Sequence, residues 1–136
     1  MKYILIVLFL VSFGSVSMAY EEVFYCETKD GKKWLDITSG YKFKSWYDRK
    51  KFKMKITNTE IEFEKRKFRQ LYHVAKISYF KKENMWISAE IMHPEKGSGG
   101  HVHFHRSHND PNKYVLTFGR ISQGYIDVFF ATCDKF

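Results

Sequence analysis

"KFKMKITNTEIEFEK", residues 51–65, decides the fold class. Phe52, Met54 and Ile56 alternate with lysines, and after Asn58 and Thr59 the alternation resumes as Ile61 and Phe63 among glutamates. A period of two marks strands with one buried face, and Asn tolerates the left-handed backbone that tight hairpin turns require. Folding the stretch about Asn58–Thr59 sets Ile56 against Ile61, Met54 against Phe63, Lys55 against Glu62 and Lys53 against Glu64. Apolar meets apolar and each charge meets its opposite, a match worth roughly 0.2–1 kcal/mol per cross-strand pair.

Two further stretches fold the same way. "YHVAKISYFK" and "MWISAEIM" join through Lys82, Glu83 and Asn84, with Asn84 as the left-handed residue. That register sets Lys76 against Glu90, Ile77 against Ala89, Tyr79 against Ile87 and Phe80 against Trp86. "TFGRIS" and "YIDVFF" join through Gln123 and Gly124, with Phe118 against Phe129, Arg120 against Asp127 and Ile121 against Ile126. Further strands are expected at Val23–Cys26, Lys33–Ile37, Tyr41–Tyr47 and His101–Arg106. The count of about 8–10 antiparallel strands in chain order makes the chain all-β and points to an up-and-down β-barrel, with a β-sandwich as the alternative. The terminal strand is apolar on both faces ("VFFATC"), which suits a seam covered from outside. With 18% aromatic residues, the barrel interior either fills with its own rings or leaves room for one small ligand.

The chain opens on Lys2, the apolar run "YILIVLFLV" and the small residues Ser17 and Ala19, the pattern of a secretory signal peptide cleaved after residue 19. The run is shorter than the roughly 20 apolar residues of a transmembrane helix, and no second one follows, so no span is expected in the mature protein. Residues 20–136 then form a single domain, periplasmic or secreted and monomeric. Without Lys2, 22 Lys and Arg stand against 15 Asp and Glu, a net charge of +7. A basic exported protein is drawn to an anionic envelope component or a small ligand of that charge. Nucleic acid is not an expected partner, because export removes it and no aromatic stacking motif accompanies the basic stretch. That stretch, "DRKKFKMK", makes Lys50, Lys51 and Lys53 candidate anion ligands, although its lysines alternate with core residues and face glutamates on the next strand. In an oxidising compartment Cys26 and Cys133, the two cysteines, pair and tie the first strand to the last, closing the barrel.

The segments "EVFYC", "YKFKSWYDRKKFKMKI" and "ATCDKF" resemble a group of small exported proteins of low-GC marine bacteria. That group shares an early Tyr-Cys or Tyr-x-Cys, a lysine- and aromatic-rich middle and an ending close to Thr-Cys-Glu-Lys-Phe. The resemblance covers the two ends and one internal segment. It implies export, paired terminal cysteines and a compact fold, and it implies no catalytic residue, cofactor or substrate.

"HVHFHRSH", residues 101–108, holds four of the six histidines. Alternation sends Val102 and Phe104 to the core and His101, His103 and His105 to the other face. Neighbours at i and i+2 lie about 7 Å apart at Cα, so two of them, best His103 with either neighbour, reach one ion. A third ligand has to come from His93, His108, Asp110 or His73. Imidazoles suit zinc, copper or nickel, so divalent-metal binding is the alternative function, with metal-assisted hydrolysis a distant third; the fold itself requires no cofactor. The chain contains no G-x-S-x-G elbow, H-E-x-x-H helix or phosphate loop, and no enzyme activity is expected. The preceding "EKGSGG" reads as a flap and the following "SHNDPN" as a turn.

Overall fold

The computed structural model describes residues 19–35, 42–45, 51–68, 72–122 and 125–136, and only the backbone of 32–35, 42–45, 122 and 125. Residues 1–18 of the expected export signal, Lys50, the outer ends of the strands expected at Lys33–Ile37 and Tyr41–Tyr47, and the Gln123–Gly124 turn lie outside the described residues. No helix among those described is long and apolar enough to cross a membrane.

The strands are β1 (Glu21–Leu35), β2 (Lys42–Ser45), β3 (Lys51–Thr57), β4 (Glu60–Phe63), β5 (Val74–Lys81), β6 (Trp86–His93), β7 (Ser98–Arg106), β8 (Tyr114–Ser122) and β9 (Tyr125–Lys135). Every pairing is antiparallel and joins neighbours from β3 through β9. β9 then returns to β1, from Phe24↔Lys135 to Leu35↔Tyr125, and closes the barrel. β2 and β3 share one edge of β1, at Lys32–Leu35 and at Glu21–Glu27, and so occupy one position around it. The nine strands among the described residues therefore make an eight-position barrel. A disulfide joins Cys26 to Cys133, direct cross-strand partners on the closing seam, 107 residues apart in sequence. In the chain-entropy model a crosslink closing so long a loop contributes about 4–5 kcal/mol by restricting the unfolded chain.

The first and third hairpins adopt the register that alternation predicts. Met54↔Phe63, Lys55↔Glu62 and Ile56↔Ile61 pair in one; Phe118↔Phe129, Arg120↔Asp127 and Ile121↔Ile126 pair in the other. The Thr57 hydroxyl accepts from the Thr59 and Glu60 N–H groups and stabilises the first turn. The second hairpin is half corrected. Lys76↔Glu90 and Ile77↔Ala89 pair as expected, but a bulge at Ser78 shifts the rest to Tyr79↔Ser88, Phe80↔Ile87 and Lys81↔Trp86. The extra residue lets Ile77 and Phe80 both face inward, three positions apart, and leaves Tyr79 outside. The left-handed residue is Met85 (φ 54°), not Asn84. Its side chain is buried and accepts the Tyr20 hydroxyl at 3.3 Å, an anchor that offsets the backbone cost.

Two expected strands are one. The Asp30–Gly31 step, a dipeptide type that favours turns, is absorbed into β1 with a bulge between Thr28 and Asp30, and the Gly31 N–H donates to its neighbour's carboxylate at 2.8 Å. A local turn preference of this size yields to the continuous β9 ladder, which leaves no gap in which β1 could reverse. "EKGSGG" is likewise no flap: Pro94–Lys96 forms a 3-10 turn closed by Gly97 N–H to Pro94 O at 3.1 Å, and β7 starts at Ser98. Gly97 takes the left-handed position (φ 57°) that favours glycine.

The interior is filled with rings. Phe52, Phe63, Phe118 and Phe129 pack around Phe68, which the β4–β5 connection inserts from one end at centroid distances of 4.6–6.1 Å. At the other end Phe24, Phe104 and Tyr114 pack together, with Tyr20 against Phe80. Outside the seam, Phe130 is 46% exposed, so the expected covering is not found over it among the described residues.

Candidate functional site

Val102 and Phe104 are fully buried, and their burial fixes the parity of β7: His101 and His103 are exposed and His105 half-exposed on the outer surface. The same parity places Trp86, Ser88 and Glu90 on the outer face of β6, Lys76, Tyr79 and Lys81 on that of β5, and Val115 and Thr117 on that of β8.

His103 Nδ1 shares a hydrogen bond with Ser88 Oγ, its cross-strand partner, at 3.1 Å. His101 lies across from Glu90. His105 is held from two sides. Its Nδ1–H donates to the Arg106 carbonyl at 2.9 Å, because a carbonyl can only accept, and its ring stacks on Trp86 at 5.0 Å and 20°. The chain beyond Arg106 turns back through Ser107–Lys113, as the turn signal predicts, with Ser107 N–H to Lys113 O at 2.8 Å and Asn112 N–H to Asp110 Oδ1 at 2.9 Å. That turn brings the exposed His108 to 6.1 Å from His105, centroid to centroid.

The pair brought together is therefore His105 with His108. The expected best pair, His103 with a neighbour, instead has His103 engaged by serine. His93 pairs with Ser98 at the far end of the β6–β7 ladder, 3.5 Å from Glu95 and beside Tyr72. His73 borders a surface groove with His93 on the β5–β6 side, and the Asp110 carboxylate is engaged within its own turn. No group of three or more His, Cys, Asp or Glu residues among those described is placed to hold a metal.

The other candidate is the lysine stretch. Lys55 and Glu62 form an ion pair at 3.3 Å. Lys53 stands across from Tyr25, with its ammonium 5.9 Å from that ring, and its backbone N–H donates to Glu64 at 3.1 Å. Lys51 faces Glu27, whose carboxyl is held below its usual range first by hydrogen bonding to Lys29 and then by that ammonium's charge. Carboxylates thus intersperse these lysines.

Arg120 and Asp127 pair as predicted, but inside the barrel, where they are 3% and 1% exposed. Arg120 shares parity with Phe118, and Asp127 with Phe129, so the alternation already carried the signal; the assumption that paired charges face water hid it. Tyr72 lies over the guanidinium, 4.4 Å from ring centroid to Cζ. Gly100, the cross-strand partner of Arg120, has no room for a Cβ, which would stand 2.7 Å from the Gly119 carbonyl. Burial first, and Glu22 second, push the Tyr20 phenol well above its ordinary range, so it stays neutral and supplies no base.

No protein-family model, curated protein or solved structure matches the chain.

Proposed function

We propose that the protein is an exported, non-catalytic binding module that engages an anionic envelope component through the outer face of β5–β8. The observation that carries this reading is the charge of that face. β5 through β8 contain one carboxylate, Glu90, whereas β1, β4 and β9 contain, besides the buried Asp127, Glu21, Glu22, Glu27, Asp30, Glu60, Glu62 and Asp134. Lys76 and Lys81 flank Tyr79 and Trp86 beside three outward histidines; Lys76 lies between its cross-strand partners Glu60 and Glu90, so the part of the surface low in competing acid is that around Lys81, the exposed rings and the imidazoles. The filled interior supports the same reading, because a barrel packed with its own rings meets partners on its outside. Both cysteines are consumed in the disulfide, which removes thiol chemistry from consideration.

The test is cosedimentation with phosphatidylcholine vesicles, with and without phosphatidylglycerol, in the presence of a chelator. Binding should require the anionic lipid and weaken with salt. Lys76→Glu with Lys81→Glu should abolish it. Equal loss from Lys51→Glu with Lys53→Glu would move the site to the opposite half of the barrel.

A further inference from the structure

We infer that His105 and His108 form a two-imidazole site for a late first-row transition ion, copper(II) ahead of nickel(II) or zinc(II), with its remaining coordination positions open. The inference does not depend on the anionic partner proposed above. Either can fail alone.

The geometry starts with His105. Its Nδ1 proton is committed to the Arg106 carbonyl, so the lone pair is on Nε2, the tautomer a metal-ligating histidine needs. Metal-bound histidines generally donate their second nitrogen to a carbonyl, carboxylate or water in this way, which orients the ring and raises its basicity. The Trp86 stack fixes the ring plane. Half the site is therefore ordered before any ion arrives, and that lowers the entropy lost on binding.

His108 supplies the second ligand. An ion bonded to two imidazole nitrogens at about 2.0–2.1 Å holds the ring centroids roughly 5–6 Å apart, depending on the N–metal–N angle. The two rings already stand at 6.1 Å, tilted by 39°, at the outer edge of that span. His108 is exposed, and the backbone hydrogen bonds of the turn hold its Cα in place, so a side-chain rotation suffices to close the gap. His103 is a poorer candidate because its Nδ1 is engaged by Ser88.

Ligand number then selects the ion and the kind of site. No third protein ligand is assembled among the described residues, so this is not a closed structural zinc site. Two neutral imidazoles give copper(II) the advantage over zinc and nickel by the general order of divalent affinities. Open positions leave the ion exchangeable and accessible to an oxygen or nitrogen donor from outside. The competing reading is a ladder of stacked rings that covers the sheet and binds nothing.

The experiment is a calorimetric titration of the protein with copper(II) chloride in a weakly coordinating buffer, without lipid or polyanion, alongside tryptophan fluorescence. One copper per chain should bind, and the open-shell ion on His105 should quench Trp86, whereas zinc(II) in excess should leave the emission unquenched. His108→Ala should weaken copper binding about tenfold or more, since it removes one of two ligands and spares the strand. His101→Ala should change affinity by less than about twofold. Circular dichroism on both variants controls for folding. Absence of stoichiometric uptake overturns the inference, as does equal weakening by His101→Ala and His108→Ala, which would describe diffuse binding along the strip. Loss of vesicle binding with copper binding intact would overturn only the anionic reading.

Discussion

The two halves of the barrel wall treat charge in opposite ways. On β9, β1, β3 and β4, cations meet acids: Lys29–Glu27 at 2.8 Å, Lys55–Glu62 at 3.3 Å and Lys135–Glu22 at 2.7 Å, with Lys113 reaching Asp134 at 2.5 Å from the turn before β8. On β5–β8, rings and imidazoles face outward beside two lysines; Lys76 at the border lies between Glu60 of β4 and Glu90, the single carboxylate of these four strands. The first half contains the seam, where ends distant in sequence must find each other, so complementary charge and a crosslink serve register there. The second half is a run of consecutive hairpins joined by short connections, so its strands find their partners without long-range closure. Its outer face is free to carry chemistry instead.

If the first half serves closure, opening its crosslink should produce the largest effect. Cys26→Ala with Cys133→Ala should lower stability by about 4–5 kcal/mol at most, read as a fall in the urea midpoint together with a steeper slope, since the unfolded chain loses its crosslink and expands. The β5–β8 face should keep its binding wherever the variant remains folded. Loss of binding at full folded population would show that the halves are coupled.

The next largest effect lies inside the wall, where Arg120 on β8 meets Asp127 on β9. Arg120→Ala strands a buried carboxylate and should cost about 3–5 kcal/mol, whereas Arg120→Met with Asp127→Leu should recover most of the loss. Recovery would mark the pair as a device of register; failure to recover would mean that Tyr72 and the guanidinium are needed together at that end of the barrel.

Those two sites also show how far sequence reaches. Ile56 against Ile61 and Phe118 against Phe129 were legible because a period of two leaves a single register in which both strands bury their apolar faces. The bulges after Thr28 and Ile77 were not, because one inserted residue answers to the shape of the closed barrel rather than to local pattern. Asp30 and Gly31, a turn-favouring dipeptide, are strand for the same reason. At the candidate site, the outward face of His101, His103 and His105 follows from Val102 and Phe104. The approach of His108 to His105 depends on the path of a seven-residue connection, and Trp86 reaches His105 through the β6–β7 register, which the alternation within either strand does not set.

A third outcome separates the halves by kind of effect. Lys76→Glu with Lys81→Glu should abolish binding to anionic vesicles, at a stability cost confined to Lys76, whose cross-strand partners are Glu60 and Glu90; Lys81→Glu alone should weaken binding and change stability by less than about 1 kcal/mol, as exposed charges do. The same reversal at Lys55 should do the opposite, because Glu62 would then face a like charge across the ladder.

The smallest effect tests the ion pairs of the seam one at a time. Hydrogen bonding to Lys29, then its charge, lowers the Glu27 carboxyl pKa in the folded chain. A group whose pKa is depressed on folding stabilises above its unfolded value, and that stabilisation is lost as pH falls through the folded one. The wild type should therefore lose slightly more stability than Glu27→Gln between neutral pH and the acid side of the carboxylate range. Because both side chains are open to solvent, added salt should erase the difference, leaving parallel urea midpoints. A difference that survives salt would mean that Glu27 is tied into the β1–β3–β9 seam more deeply than its pairing with Lys29 accounts for, since a solvent-screened ion pair has no other way to persist.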